Sequence, residues 1–150
     1  LSEKDWDEVI DLNLKTTFFL SQAFGRLVFS GADRGKIVNI ASLLSFQGGI
    51  RVASYTASKH GVAGITQTLC NEWAGKGINI NAIAPGYIES NNTEALRADP
   101  DRSASILSRI PAGRWGQPSD IGDATVFLLS NASNYMHGAI VPVDGGWLAR

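Results

Sequence analysis

Lys36-Ile37-Val38-Asn39-Ile40-Ala41 and, one helical interval later, Ile78-Asn79-Ile80-Asn81-Ala82-Ile83-Ala84 decide the fold. Both runs are short, rich in β-branched residues and bounded by turn formers, which is how buried strands read. Gly31 to Gly35 makes a polar turn before the first, and Pro85-Gly86 ends the second sharply. Between them lie a glycine-containing loop over 42–53 and a helix over about 54–74, stopped by Gly75-Lys76-Gly77. Strand, helix, strand in that order implies a right-handed crossover and parallel pairing.

Upstream, Ser2-x-x-Asp5 has the form of a capping box. Trp6, Val9, Ile10, Thr17, Phe18 and Phe24 follow at helical spacing, so one helix is expected to about Phe29, burying Trp6, Ile10, Thr17 and Phe24. Downstream, 87–118 is polar and weakly periodic, with a short helix expected between Asp99 and Arg109. A segment of that length in a compact domain is usually a lid or binding loop. Ser119 is the expected cap of a further helix, with Asp120 just inside it, running to about Ser130. A last strand falls at about 139–143, and Asp144-Gly145-Gly146 turns out of it. The alternation makes this an α/β chain around a parallel sheet. With no repeat or linker, residues 1–150 form part or all of one domain.

Composition removes several functions. Thirteen basic and 14 acidic residues leave a net charge of −1, so nothing favours nucleic acid. No apolar run approaches the ~20 residues of a membrane span. Cys70 is the single cysteine, which forbids an internal disulfide. His60 and His137 lack companions at metal spacing and read as surface or packing residues, so no metal is expected.

The chemistry lies at the carboxyl ends of the strands, where open parallel sheets bind ligands. The first strand delivers Ser42, and the second delivers Pro85-Gly86. Tyr55 and Lys59, four apart in the opening turns of the intervening helix, share a face. A nearby ammonium favours phenolate, so Lys59 is expected to lower the Tyr55 pKa. Ser42 can then hold a substrate oxygen beside the phenol. Asn13 falls in the expected buried stripe. It is either a structural asparagine satisfied by its neighbours or the holder of a water or lysine in a proton path. Pro85-Gly86 is an ordinary turn or a place where backbone approaches a flat ligand.

Asn13, Ser42, Tyr55-x-x-x-Lys59, Asn81-Ala82-Ile83-Ala84-Pro85-Gly86 and Asp144-Gly145-Gly146 together resemble the short-chain dehydrogenase/reductase family, in order and spacing over the whole chain. The resemblance implies a Rossmann-type sheet, an Asn-Ser-Tyr-Lys tetrad and NAD as hydride carrier, with NADP an alternative. By position, Tyr55 is the general acid/base, Lys59 its electrostatic partner and a ribose ligand, and Ser42 the donor to the reacting oxygen. Asn13 anchors a water leading from Lys59 to solvent. Pro85, Gly86, Ile88 and Ser90 join Tyr55 and Lys59 at the cofactor; Ser90 stands where the family usually has threonine.

The segments 45–51, 85–93, 110–116 and 144–150 are similar to the family's sugar-acid dehydrogenases. That likeness implies interconversion of a ketone and a secondary alcohol on a sugar acid. Ser42, Gln47, Tyr55 and Asn91 are its candidate substrate contacts. Arg97, Arg102, Arg109 and Arg114 are candidate carboxylate ligands, although a solvated surface role is the commoner fate of an arginine. Gluconate 5-oxidation and 3-oxoacyl-acyl-carrier reduction are alternatives within the family, and a non-catalytic truncated homologue serving as an assembly module is one outside it.

No Gly-x-Gly-x-x-Gly opens a helix after a strand, and the chain begins Leu1-Ser2-Glu3-Lys4. The expectation is therefore the C-terminal, catalytic and substrate-binding part of a longer cytoplasmic enzyme, without its dinucleotide-binding part. An unpaired edge is expected on the first strand. Tyr55, Lys59, Val62, Leu69 and Trp73 stripe one side of the central helix, and Ala57, Gly61, Gly64 and Thr68 the other. Covering both sides suggests a homo-oligomer, a tetramer by the resemblance.

Overall fold

The computed structural model describes residues 1–150. Its frame is a parallel sheet of β1 (Gly35–Ile40), β2 (Ile78–Pro85) and β3 (Ile140–Val143), with β2 in the centre. Gly35 pairs with Ile78 and Ile40 with Ile83, while Ala82 to Pro85 pair with Ile140 to Val143. Helix α3 (Ala53–Trp73) is the crossover from β1 to β2. All three strands and this helix lie within a few residues of their expected positions.

Two buried polar residues of the strands are satisfied inside the protein. Asn81, 1% exposed, donates to the Met136 carbonyl at 2.9 Å and accepts from the Ala139 N–H at 3.0 Å, which fixes the approach to β3. Asn39 donates to Thr66 Oγ1 at 3.0 Å and ties β1 to α3. One apolar cluster gathers Val28, Leu69, Trp73, Ile78 and Ile80; a second gathers Ala41, Val62, Ala82 and Ala84.

The N-terminal helix departs from expectation. Ser2 caps α1 (Glu3–Ile10) through the full box with Asp5, as its sequence suggests. At Asp11–Lys15 the chain makes a π turn before resuming as α2 (Thr16–Phe29). The inserted residue rotates everything downstream by about 100°. The expected stripe nevertheless stays the more covered side: Trp6 is 38% exposed and no residue of α1 is buried, while Ile10, Thr17 and Phe24 are half-buried and Phe24 packs against the first cluster. Ser21, Gly25 and Val28 are the buried positions of α2. Gly25 is needed there, since a Cβ would lie 3.0 Å from the Trp73 ring.

The excursion after β2 is stapled at its base. Ile88 forms an isolated parallel bridge with Gly116, and Glu89 N–H donates to the Gly116 carbonyl at 2.8 Å. Within it lie α4 (Glu94–Ala98) and α5 (Pro100–Leu107); the first is too short to leave a periodic signal. Helix α6 (Pro118–Leu129) starts one residue before Ser119, and Gln117 is its cap. Pro118 explains the shift, because proline suits the first helical position and pushes the cap back to its predecessor. Asp120 also accepts from Arg114 at 2.8 and 3.1 Å. That pair, then the Gln117 N–H, hold the Asp120 carboxyl down at about 2. No helix is long and apolar enough to cross a membrane.

Candidate active site

The ladder runs one residue past β1, where Ala41 N–H donates to the Ile83 carbonyl at 2.7 Å, and then releases Ser42. A 3₁₀ turn, Leu43–Ser45, redirects the chain. Ser45 Oγ accepts from Ser42 N–H and donates to the Lys59 carbonyl at 2.6 Å, so the turn is pinned to α3. Ser42 Oγ accepts from Leu44 N–H at 3.2 Å, which leaves its own proton free to donate. Ser42, Tyr55, Gln47, Pro85 and Gly86 line one cleft of about 740 Å³.

Lys59 is only 9% exposed. Its Nζ donates to the Ile40 carbonyl at 2.8 Å and lies 5.6 Å from the centroid of the Tyr55 ring. No carboxylate pairs with it; the ion pairs of the chain are Lys4–Glu8, Lys15–Asp11 and Arg114–Asp120. Burial alone pushes this ammonium below its usual value. On the other side Lys59 borders a second cavity of about 450 Å³ between α2 and β1, which it shares with Asn13 and Thr17.

Asn13 sits in the π turn, a device common at functional sites. Its carboxamide donates to Ser58 Oγ at 3.2 Å, and Ser58 in turn donates to the Tyr55 carbonyl at 2.7 Å. Thr17 Oγ1 donates to the Asn13 carbonyl at 2.8 Å, and Thr16 Oγ1 to that of Asp11. The consecutive threonines were the available sign of this turn, because hydroxyls that bond back to helix carbonyls bend helices. The Asn13 side chain thus ties the π turn to the Tyr55 turn of α3 through Ser58.

Other expected site residues separate. Gly86 is glycine because a Cβ there would lie 2.6 Å from Asp144 Cα, so the close approach is to the protein's own backbone. Ile88 faces a smaller cavity of about 200 Å³ with Gly116 and Asp120. Ser90 and Asn91 are exposed, and neither lines the main cleft; Asn92 and Thr93 line it instead. One residue of offset follows from the 3₁₀ turn at Asn91–Thr93, whose tight winding the sequence does not announce. Trp147, Arg102 and Arg109 also line the cleft. Trp147 is 5% exposed and packs with Leu43 and Ile110, brought there by a left-handed turn at Gly145 and Gly146.

A parallel sheet, a crossover helix carrying Tyr55 and Lys59, and a serine released at the strand end define a short-chain dehydrogenase/reductase. Residues 1–148 match a family model described as enoyl-(acyl carrier protein) reductase, and the chain belongs to the short-chain dehydrogenase/reductase family. Among similar proteins, the 2-dehydro-3-deoxy-D-gluconate 5-dehydrogenase of Escherichia coli K12 is 62% identical over 149 residues, covering 99% of this chain and 59% of its own length. A solved structure from Agrobacterium tumefaciens, provisionally assigned as a 2-deoxy-D-gluconate 3-dehydrogenase and holding NADP, matches at 69% identity and a TM-score of 0.98. That match covers 100% of this chain and 61% of that one. A gluconate 5-dehydrogenase from Burkholderia cenocepacia, in complex with NADP and tartrate, matches at 37% identity and a TM-score of 0.96, covering 100% and 58%. The chain thus spans about three-fifths of the length of these relatives.

Proposed function

We propose that this chain is the catalytic part of a nicotinamide-dependent dehydrogenase interconverting a ketone and a secondary alcohol on a sugar acid of the 2-dehydro-3-deoxy-gluconate type. The observation that carries the reading is the Lys59 ammonium, buried without a carboxylate, on the Ile40 carbonyl and 5.6 Å from the Tyr55 ring. A cation kept there against its desolvation cost fits a neighbour that becomes negative during turnover. The names of the sugar-acid relatives support the substrate class.

In reduction Tyr55 gives its phenolic proton to the ketone oxygen; in oxidation the phenolate takes the hydroxyl proton back. Ser42, with its proton uncommitted, donates to that oxygen as charge builds there. Lys59 offsets the phenolate charge. The cavity it shares with Asn13 is the route by which water restores the proton. Gln47 reads a substrate hydroxyl from the cleft wall.

The residues present fit the nicotinamide end of a dinucleotide. After Ile40 takes one N–H, Lys59 keeps two donors, which suits a ribose diol. Tyr55, Pro85, Gly86, Ile88 and Ser90 complete the set that would hold it. A bound nicotinamide would supply the hydride in reduction and accept it in oxidation. NAD is the carrier proposed, and NADP, present in related structures, suits the same residues.

The same reading has the enzyme cytoplasmic and homotetrameric. The open side of the π turn and α2, with Leu12 and Leu20 each 70% exposed and Leu27 67% exposed, supports further packing.

The test is Tyr55→Phe in the full-length enzyme, following nicotinamide absorbance with 2-dehydro-3-deoxy-D-gluconate. A loss in kcat of roughly 10²- to 10⁴-fold is expected, with cofactor affinity retained. Near wild-type turnover would remove Tyr55 from the acid/base role.

A further inference from the structure

The main cleft carries positive charge only. Of its lining residues, Arg102 and Arg109 are the charged ones, and no Asp or Glu lies among them. The four arginines of the lid segment differ in what they are already doing. Arg114 is spent on Asp120, with two hydrogen bonds, and lies outside this cleft. Arg97 donates to the Ser90 carbonyl at 3.2 Å and is likewise outside. Arg102 and Arg109 line the cleft without an ion pair or a side-chain hydrogen bond within the chain.

Arg109 has a seat. Its guanidinium lies 4.0 Å over the Trp147 ring, and that ring is immobilised against Leu43, Ile110 and Tyr87. The seat is built by Asp144, whose carboxylate accepts from Gly146 N–H at 2.8 Å and from Leu148 N–H at 2.9 Å, setting the turn that brings Trp147 in. A guanidinium seated over an indole has one face covered and keeps its N–H edge free. That edge is the part that pairs bidentately with a carboxylate.

We infer that Arg109, levelled on Trp147, binds the carboxylate of the substrate, with Arg102 as a second cation at the same end of the cleft. This rests on the dehydrogenase reading and adds the residue that makes the cleft select an acid over a neutral sugar. Tyr55 and Ser42 hold the reacting oxygen, and Arg109 sets which carbon of the chain reaches them by fixing the far terminus.

The test uses the full-length enzyme and Arg109→Met, which keeps the stacking bulk and removes the charge. For 2-dehydro-3-deoxy-D-gluconate, KM should rise roughly 10- to 100-fold, the scale of a lost charge-assisted hydrogen bond, while kcat falls far less. Arg109→Lys should recover part of the loss. Selectivity for the acid over its neutral methyl ester should collapse in Arg109→Met. An unchanged KM in an enzyme that turns the acid over would overturn the arginine assignment and leave the dehydrogenase reading standing. If the wild type shows no turnover with nicotinamide cofactor, that reading fails. D-gluconate titrated against tryptophan fluorescence then decides the arginine separately. Binding lost in Arg109→Met supports it; equal binding, or none by the wild type, overturns it.

Discussion

The sheet has two edges, and they are finished differently. β3 is four residues long and carries Pro142, exposed and without an N–H to offer. Short edge strands and edge prolines are how proteins blunt unwanted pairing. β1 is six residues long, has no proline, and leaves Ile40 48% exposed. Beside it run the open side of α2 and the cavity shared by Lys59 and Asn13. One edge is blunted and the other is open. The Tyr55–Lys59–Ser42 corner is built on the open side, with the Lys59 ammonium resting on the carbonyl of the last β1 residue.

This contrast can be broken by mutation. In the full-length protein, Ile40→Ala should cost about 2–3 kcal/mol, the range for a buried isoleucine. A side chain exposed as Ile40 is in this chain would lose only about 1 kcal/mol or less. Val141→Ala on β3 should cost no more than its partial burial here supports. Urea midpoints of the two variants measure this. A small loss for Ile40→Ala would show that β1 stays an open edge in the whole protein, and a loss in the buried range that it is covered there.

The same contrast sorts what could be read from sequence. β2 was legible because 78–84 is wholly apolar or self-satisfied and has turn residues at both ends; Ile78, Ile80 and Ile83 are indeed 0% exposed. The Tyr55–Lys59 pair was legible because helix spacing is local. Three features were not. The π turn at Asp11–Lys15 is a backbone choice, signalled only by Thr16 and Thr17. The role of Gly86 needed β2 and Asp144 side by side. The Arg109–Trp147 stack joins residues far apart in the chain, so among the lid arginines composition could not choose. What was missed was tertiary pairing and a local backbone insertion; what held was periodicity and local chemistry.

A smaller effect sharpens the comparison at Lys59. Its ammonium is nearly buried and unpaired by any carboxylate, so its burial costs stability. Lys59→Met keeps the aliphatic packing and should raise unfolding free energy by about 1 kcal/mol near neutral pH, even though one hydrogen bond to Ile40 is lost. Burial depresses the folded-state pKa, so in the window between that value and the usual 10.5 the unfolded chain binds more protons than the folded one. Wild-type stability therefore climbs across the window, and the cost of the charge is complete below it. The advantage of Lys59→Met should be largest at neutral pH and shrink as pH rises toward 10.5. Denaturant titrations of both proteins at stepped pH follow the difference directly, independent of turnover. An advantage that grows with pH, or a variant less stable than wild type at pH 7, would mean that the ammonium is a net stabilising group anchoring α3 to β1.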